Sequence, residues 1–344
     1  MVRFTVLASG SKGNSAIVSS CPGGTDSTKS TSCTRILVDA GLSCRELFRR
    51  MRQVGEDPST LDAILITHEH QDHINGLAVT ARKLGIPVYF TEATHRAWVR
   101  QVTPQRRITY AEWAAQYRAQ NQVSKLQAGG FPVPHPEPNP LPDPAPDPAP
   151  DPEPVPDPAP MMTTSAEPCT EAAPDPSRLP AVEYFRAGEA FQIGDIAVSP
   201  FTIPHDAADP VGFVFTAEGV RLAIATDLGY MPPNVQAQLR RCDLIMLESN
   251  HDLEMLRDGP YPWSVKQRVL SRVGHLSNDA ASAFLEQTYD GTATYLILAH
   301  LSESNNLPEL ARLAAERALT SKPSLLANRL FLASQHEPME PVCF

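Results

Sequence analysis

The stretch "ITHEHQDHINGL", Ile66 to Leu77, sets three histidines and an aspartate within six residues, His68 to His73. The chain has only 10 histidines, so chance clustering explains the segment poorly. Imidazole nitrogens beside a carboxylate suit zinc, manganese or iron better than calcium or magnesium. In an irregular loop His68 and His70 can turn the same way onto one ion, while Asp72 and His73 turn towards a second. The H-x-H-x-D-H spacing therefore points to a two-metal hydrolytic site. Two ions about 3.5 to 4 Å apart share a bridging water, lower its pKa from about 15.7 towards roughly 7, and stabilise charge on the attacking and departing oxygens. The expected nucleophile is that bridging hydroxide, with Asp72 as the catalytic residue that accepts or orients its proton.

The elements that must hold these side chains lie on either side. "LDAILIT", Leu61 to Thr67, is short, apolar and β-rich, the pattern of a buried strand. After the cluster, Ile74, Leu77, Ala78, Ala81 and Leu84 fall near helical spacing, and Gly85 stands where a C-terminal cap belongs. The cluster thus occupies a strand-to-helix loop at the carboxyl end of a core strand, the kind of place where active sites concentrate.

Set after such a strand, the motif resembles that of the metallo-β-lactamase superfamily. "FTIPHDAADPVGFVF" offers His205, "RLAIATDLGY" ends a buried strand on Asp227, and "TYLILAHLSESNN" ends another on His300. The chain further resembles one branch, the YycJ/WalJ-like proteins, associated with DNA exonuclease activity. The likeness runs in order through "FTVLASGSKGNSA", "ILVDAGLSCREL", "PHDAADPVGFVF" and "LESNHDLEMLRDGPYPWSVKQRVLSRVGHLSN", over most of residues 1 to 100 and 182 to 310. It implies an α/β fold, the αββα sandwich of two mixed sheets with helices outside, two divalent metal ions (zinc or manganese, with iron admitted) and a DNA substrate. It places His68, His70 and His205 on the first metal, Asp72, His73 and His300 on the second, and Asp227 between them. His275, in "GHLSN", competes with His300 for the last position. His300 is preferred because it directly follows "TYLILA", repeating the strand-end logic of His68 and Asp227. His275 then becomes the catalytic proton donor to the departing oxygen or a phosphate contact, since a histidine titrating near neutrality suits that work.

Other segments carry weaker signals. In "ASGSKGNSA", Gly10 and Gly13 allow close backbone approach, while Ser9, Ser11 and Asn14 supply donors for a phosphate; a plain turn reads the same residues equally well. Ser302 and Asn305, in "HLSESNN", contact a terminal phosphate or cap the helix that starts near Leu307. Glu248 and His251, just after the apolar strand "DLIMLE", sit at the metal edge and can orient ligands, although a structural hydrogen bond is the better reading of His251.

The organisation follows from one segment. Every even position from Pro132 to Pro160 is proline, fifteen of the chain's 34. Such a run forms neither ladder nor helix and is expected to be an extended, disordered insertion. It falls between expected ligands, so residues 1–130 and 180–325 form one catalytic domain, 131–179 the insertion and 326–344 a C-terminal tail. The insertion reads as a spacer, a docking segment for a proline-reading protein partner, or an acidic screen. Nine of the chain's 39 acidic residues lie between Pro132 and Pro176 with no lysine or arginine among them, so the formal charge of −10 becomes about −1 for the rest. That balance does not argue against a nucleic-acid substrate, and no strongly basic stripe argues for one.

Strands are expected at Arg3 to Ala8, Ile36 to Asp39, Val88 to Phe90, Ile196 to Phe201, Val211 to Thr216 and Leu222 to Thr226. Helices are expected at Arg45 to Val54, Pro232 to Arg240, Asn278 to Gln287 and Pro308 to Ala318. The six cysteines form no C-x-x-C pair; a Cys21–Cys33 bond is the alternative, and free thiols are the expectation. With no signal segment and no run long enough to span a bilayer, the chain is expected to be cytoplasmic with no membrane contact. A 5′ to 3′ DNA exonuclease is the leading expectation. Its rivals are a small-molecule or cyclic-nucleotide phosphodiesterase, a ribonuclease Z-like RNA hydrolase, and a metal-binding regulator whose proline-rich arm recruits partners.

Overall fold

The computed structural model describes residues 1–22, 33–103, 113–114, 117–118, 175–320 and 329–344. The chain divides into two compact units, one of residues 1–103 with 175–344 and the other of residues 104–174. The expected proline-rich insertion lies outside the described residues except for 175–179, which belong to the first unit.

The first unit is built on two seven-stranded sheets. The first contains β1 (Val2–Ala8), β2 (Ser15–Ser20), β3 (Thr34–Val38), β4 (Ala63–Leu65), β5 (Pro87–Phe90) and β6 (Ala181–Tyr184). The second contains β7 (Phe191–Ile193), β8 (Ile196–Thr202), β9 (Val211–Ala217), β10 (Val220–Ala225), β11 (Leu244–Glu248), β12 (Tyr295–Ala299) and β13 (Leu330–Leu332). Strand β14 (Val342–Cys343) returns to the first sheet beside β1. The orders are β14-β1-β2-β3-β4-β5-β6 and β13-β12-β11-β10-β9-β8-β7.

Side-chain parity explains the layering. Alternate residues of a strand face opposite sides, and both sides are apolar here. In β10, Leu222 and Ile224 enter a cluster shared by the two sheets, while Ala223 and Ala225 enter a second cluster under helices. The shared cluster draws Phe4, Val6 and Val38 from one sheet and Phe213, Phe215 and Met246 from the other. Outside the second sheet lie helices Pro233–Gln238, Asn278–Gln287 and Pro308–Leu319. Outside the first lie Cys44–Gln53, Leu77–Leu84 and Glu92–Val102. The result is the four-layered αββα sandwich.

Strand direction gathers the expected ligands at one edge. In the first sheet β1 and β3 each run antiparallel to β2, and β4 is parallel to β3. In the second sheet β8 and β10 each run antiparallel to β9, and β11 and β12 continue parallel to β10. Within each sheet, therefore, the strands that precede site residues end on the same side.

Several expectations are corrected. Residues 326–344 are not a tail: β13 and β14 complete the edges of the two sheets, and Phe344 N donates to Val2 O at 2.9 Å. Cys21 and Cys33 are not free but disulfide-bonded, because the ladder that pairs Ser20 with Thr34 brings their Cα atoms to 4.3 Å. The helix expected from Ile74 onward is broken into Gln71–Ile74 and Leu77–Leu84. At the break Gly76 N donates to Ala40 O at 2.8 Å, and a Cβ there would stand 2.0 Å from Leu42 O, so the chain must bend away. Gly85 does cap the second piece, in the left-handed conformation at φ 69°.

Candidate metal centre

His68 stands three residues beyond β4, His205 three beyond β8, Asp227 two beyond β10, and His300 directly after β12. His70 precedes the short helix Gln71–Ile74, which carries Asp72 and His73. Three strand-end residues, Asp39 (φ 59°), Asp227 (φ 62°) and His300 (φ 55°), are among the five non-glycine residues with positive φ in the described chain. That conformation costs about 1–3 kcal/mol per residue, and it recurs at functional sites. Here the left-handed step follows a buried strand and turns a polar side chain into the site.

The loops are held against each other by backbone contacts. Asn14 N donates to Asp72 O at 2.7 Å, and Ala40 N donates to His73 O at 2.8 Å. Gly41 makes this possible, since a Cβ there would stand 1.7 Å from Asp72 O.

The expected ligands converge. His68, His70 and His205 offer donor atoms within 4.8 Å of one another, as do Asp72, His73 and His300, and Asp227 joins His68 and His73 in a third such group. Each imidazole has one nitrogen anchored and the other aimed inward, the arrangement of metal-ligating histidines. His68 Nδ1 meets Thr67 Oγ1 at 3.0 Å, His205 Nδ1 meets Gly274 O at 3.1 Å, and His70 Nε2 meets Asp206 O at 3.2 Å. His73 Nδ1 meets Asp39 Oδ2 at 2.8 Å, and His300 Nδ1 meets Glu248 Oε1 at 2.9 Å.

These anchors provide a test of fit for a cation. Carbonyl oxygens accept, so His205 carries its proton on Nδ1 and His70 on Nε2 when both rings are neutral. Their facing atoms, His205 Nε2 and His70 Nδ1, are then bare lone pairs 3.1 Å apart. His68 Nε2, His300 Nε2 and Asp227 Oδ2 are buried without a hydrogen-bond partner among the described residues, a rare and unfavourable condition in a folded protein. All five atoms suit divalent ions of the zinc and manganese type.

The electrostatics differ around the site. Burial, followed by the neighbouring histidines, holds His68 well below the usual imidazole range. Burial also lowers His205, against the pull of Asp227. For His73 burial acts downward, but Asp227, Asp72 and Asp39 together outweigh it and raise the ring to about 9. His300 is likewise raised, with Asp227, Asp72 and Glu248 overcoming burial. Burial would raise Asp72, yet His73 and His300 prevail and hold it below its ordinary value.

His275 belongs to a separate donor group with Asp227, Glu248 and His300. Its Nδ1 meets Glu248 Oε1 at 2.8 Å, and it lines an open cavity of about 490 Å³ with Asp72, Asp227 and His300. Glu248 is wholly buried and touches both rings, as expected of an orienting residue. His251 shows no side-chain hydrogen bond to either ring among the described residues. It belongs to none of the donor groups, and its Nδ1 has no hydrogen-bond partner among the described residues. Its backbone is engaged, with Asn278 N donating to His251 O at 2.9 Å.

The phosphate candidates divide. Ser11, Ser302 and Asn305 line the cavity. Ser9 does not face it: it is 1% exposed, and its hydroxyl accepts from His300 N at 2.8 Å. Asn14 is also buried, and its Nδ2 donates to Asp72 Oδ2 at 3.0 Å, so it steadies a ligand. Sequence reasoning missed Asp39, Thr67, Asp206 and Arg268. Asp39 had a readable signal, since "ILVD" ends a buried strand on a carboxylate just as "RLAIATD" does.

Comparison with known proteins agrees with this geometry. The model of the beta-lactamase superfamily domain matches residues 34–149 and 158–301. The exodeoxyribonuclease YycJ of Bacillus anthracis is 32% identical over 93% of this chain and 90% of its own length. The exodeoxyribonuclease WalJ of Streptococcus pneumoniae is 29% identical over 90% of this chain and 86% of its own. Among solved structures, YhfI of Bacillus subtilis, a metallo-beta-lactamase fold protein, aligns with a TM-score of 0.55 at 12% identity over 99% of this chain and 100% of its own. Zinc-bound PqqB of Methylobacterium extorquens aligns equally well, at 15% identity over 98% of this chain and 99% of its own. The paired strand-end ligands, the αββα frame and these matches together establish that the chain belongs to the metallo-β-lactamase superfamily, in the branch of YycJ and WalJ.

Proposed function

We propose that the chain is a metal-dependent phosphodiester hydrolase that degrades DNA from the 5′ end with two divalent cations. The observation that carries the two-metal reading is the inward pair of bare imidazole nitrogens, His70 Nδ1 and His205 Nε2, set beside the unpartnered His68 Nε2, Asp227 Oδ2 and His300 Nε2. His68, His70 and His205 would hold one cation and Asp72, His73 and His300 the other, with Asp227 available to both. When bound, the cations supply Lewis acidity at the phosphoryl oxygens and an activated water.

The chain's own residues do the rest. Asp72, steadied by Asn14, accepts or orients the proton of the attacking water. His275 has Nδ1 engaged by Glu248, which leaves Nε2 to deliver a proton to the departing sugar oxygen. The two relatives named as exodeoxyribonucleases support DNA as substrate. No described helix is long and apolar enough to cross a membrane, and a cytoplasmic location belongs to this same reading.

The test is cleavage of end-labelled duplex DNA, single-stranded DNA and RNA by manganese- or zinc-loaded protein, with Asp72→Ala and His73→Ala as controls. Stepwise loss from the 5′ end of DNA, absent in both variants, is the expected result. Cleavage of RNA alone, or of only a small cyclic or model phosphodiester, would keep the metal centre and reject the substrate.

A further inference from the structure

Among the described residues lining the 490 Å³ cavity, Arg268 is the one lysine or arginine. It faces a wall that otherwise presents Asp72, Asp206 and Asp227. Its Nε donates to Asp206 Oδ2, while its side chain stays 63% exposed and neither Nη has a partner among the described residues. A guanidinium held by one edge, with its two terminal nitrogens turned to solvent, is prepared for a second oxyanion.

The support of Arg268 is rigid and joined to the metal centre. At the carboxyl end of helix Trp263–Val269, His275 N donates to Val269 O at 3.0 Å, and Asp206 N donates to Val273 O at 3.1 Å. Gly274 O anchors His205. Two residues before Arg268, Lys266 is 8% exposed, and its ammonium is fixed by the carbonyls of Arg257 (2.7 Å) and Gly259 (2.8 Å). This buried lysine serves the scaffold and leaves Arg268 to serve the cavity. The same wall carries Tyr261 just before the helix, Val265 about one turn before Arg268, and Val269 directly after it, an apolar strip of the kind on which bases stack or pack.

We propose that Arg268 is the phosphate clamp that fixes the polynucleotide, its two Nη atoms taking the phosphate next to the scissile one. Tyr261, Val265 and Val269 receive the adjoining nucleoside. Asp206 orients the fork and keeps it off the metal ligands until substrate arrives. The inference rests on the DNA-hydrolase reading and names the feature that selects a polymer over a small phosphodiester.

The test compares metal-loaded wild type, Arg268→Gln and Arg268→Lys on single-stranded DNA and on bis(4-nitrophenyl) phosphate, with salt dependence measured on DNA. For Arg268→Gln the expected loss of kcat/KM on DNA is roughly tenfold to a hundredfold, mostly in KM, and far greater than the loss on the model diester. The slope of log affinity against log salt should fall by about one in the glutamine variant and be kept by lysine, which retains the charge but not the fork. Equal losses on both substrates, or an unchanged salt slope, would overturn the clamp. A wild type that hydrolyses the model diester but no DNA overturns the substrate reading and the clamp with it. A wild type that cuts DNA beside an Arg268→Gln that matches it overturns the clamp alone.

Discussion

The two halves of the proposed metal centre, His68, His70 and His205 on one side and Asp72, His73 and His300 on the other, both rely on histidine and are supported differently. On the His68, His70 and His205 side the outer ring nitrogens rest on neutral groups, the Thr67 hydroxyl and the carbonyls of Asp206 and Gly274. On the Asp72, His73 and His300 side they rest on the carboxylates of Asp39 and Glu248. A neutral acceptor fixes a tautomer, whereas a carboxylate also makes the ring more basic and a stronger donor to a cation. The rings differ accordingly: burial lowers His68 and His205 below the usual imidazole range, while nearby carboxylates raise His73 to about 9 and raise His300 as well. In one half, His68 and His205 are lowered towards the neutral form that a cation needs. The other keeps its carboxylates compensated by protons until a cation replaces them.

The largest expected effect comes from removing what the halves share. Asp227 Oδ2 lies 3.4 Å from His73 Nε2, and Oδ1 lies 3.9 Å from His205 Nε2. Asp227→Asn should weaken both cations and lower kcat by several kcal/mol in transition-state stabilisation, about a thousandfold. Metal content and turnover measured on one preparation check this, and full occupancy of one half would show that Asp227 is not shared.

A smaller effect should separate the halves. Asp39→Asn removes the carboxylate behind His73 and should weaken the cation on that side about 10-fold to 100-fold, reducing the bound metal from two equivalents towards one under chelator competition. Two equivalents held with wild-type affinity would mean that Asp39 only braces the loop.

Proton release sharpens the same contrast. With nearby carboxylates raising His73 to about 9, a cation binding there at neutral pH should displace a proton, and affinity on this side should fall as the pH is lowered. Burial lowers His68 and His205 instead, so those two rings have less proton for a cation to displace. Calorimetric titration in two buffers of different ionisation enthalpy should find more protons released by one metal equivalent than by the other. Equal release from both equivalents would contradict the assignment.

How much of this was legible in the sequence depends on what each feature needs. The strands, and the residues that converge at their ends, were legible because both follow from local pattern: apolar runs such as "RLAIA" and "TYLILA" end on a residue that can bind a cation. Helix Asn278–Gln287 was legible to the residue because Ser277 caps it, accepting from Ala280 N. The supports were harder to see. Asp39 backs His73 across 34 positions and Asn14 reaches Asp72 across 58, and a chain shows such partners only after the two loops meet. Ser9 shows the opposite error, since a hydroxyl in a glycine-rich loop reads as a phosphate donor until the fold buries it against His300. The edge strands β13 and β14 were illegible for a third reason: two or three residues carry no period, and only the open edges of β12 and β1 make them strands.

The smallest effect tests whether the two supports are truly separate. Thr67 Oγ1 lies 3.0 Å from His68 Nδ1 and 2.9 Å from Asp39 Oδ2. A hydroxyl gives one proton, and the carboxylate is the stronger acceptor, so the hydroxyl donates to Asp39 and accepts from His68. The neutral support of one half thus leans on the charged support of the other. Thr67→Val should weaken the cation on the His68 side by about 1 kcal/mol, roughly fivefold. Combined with Asp39→Asn, the two losses should fall short of their sum by about 0.5–1 kcal/mol, because each substitution already breaks the bond between these residues. Strict additivity in a double-mutant cycle of metal affinity would place the hydroxyl proton elsewhere and leave the two halves independent.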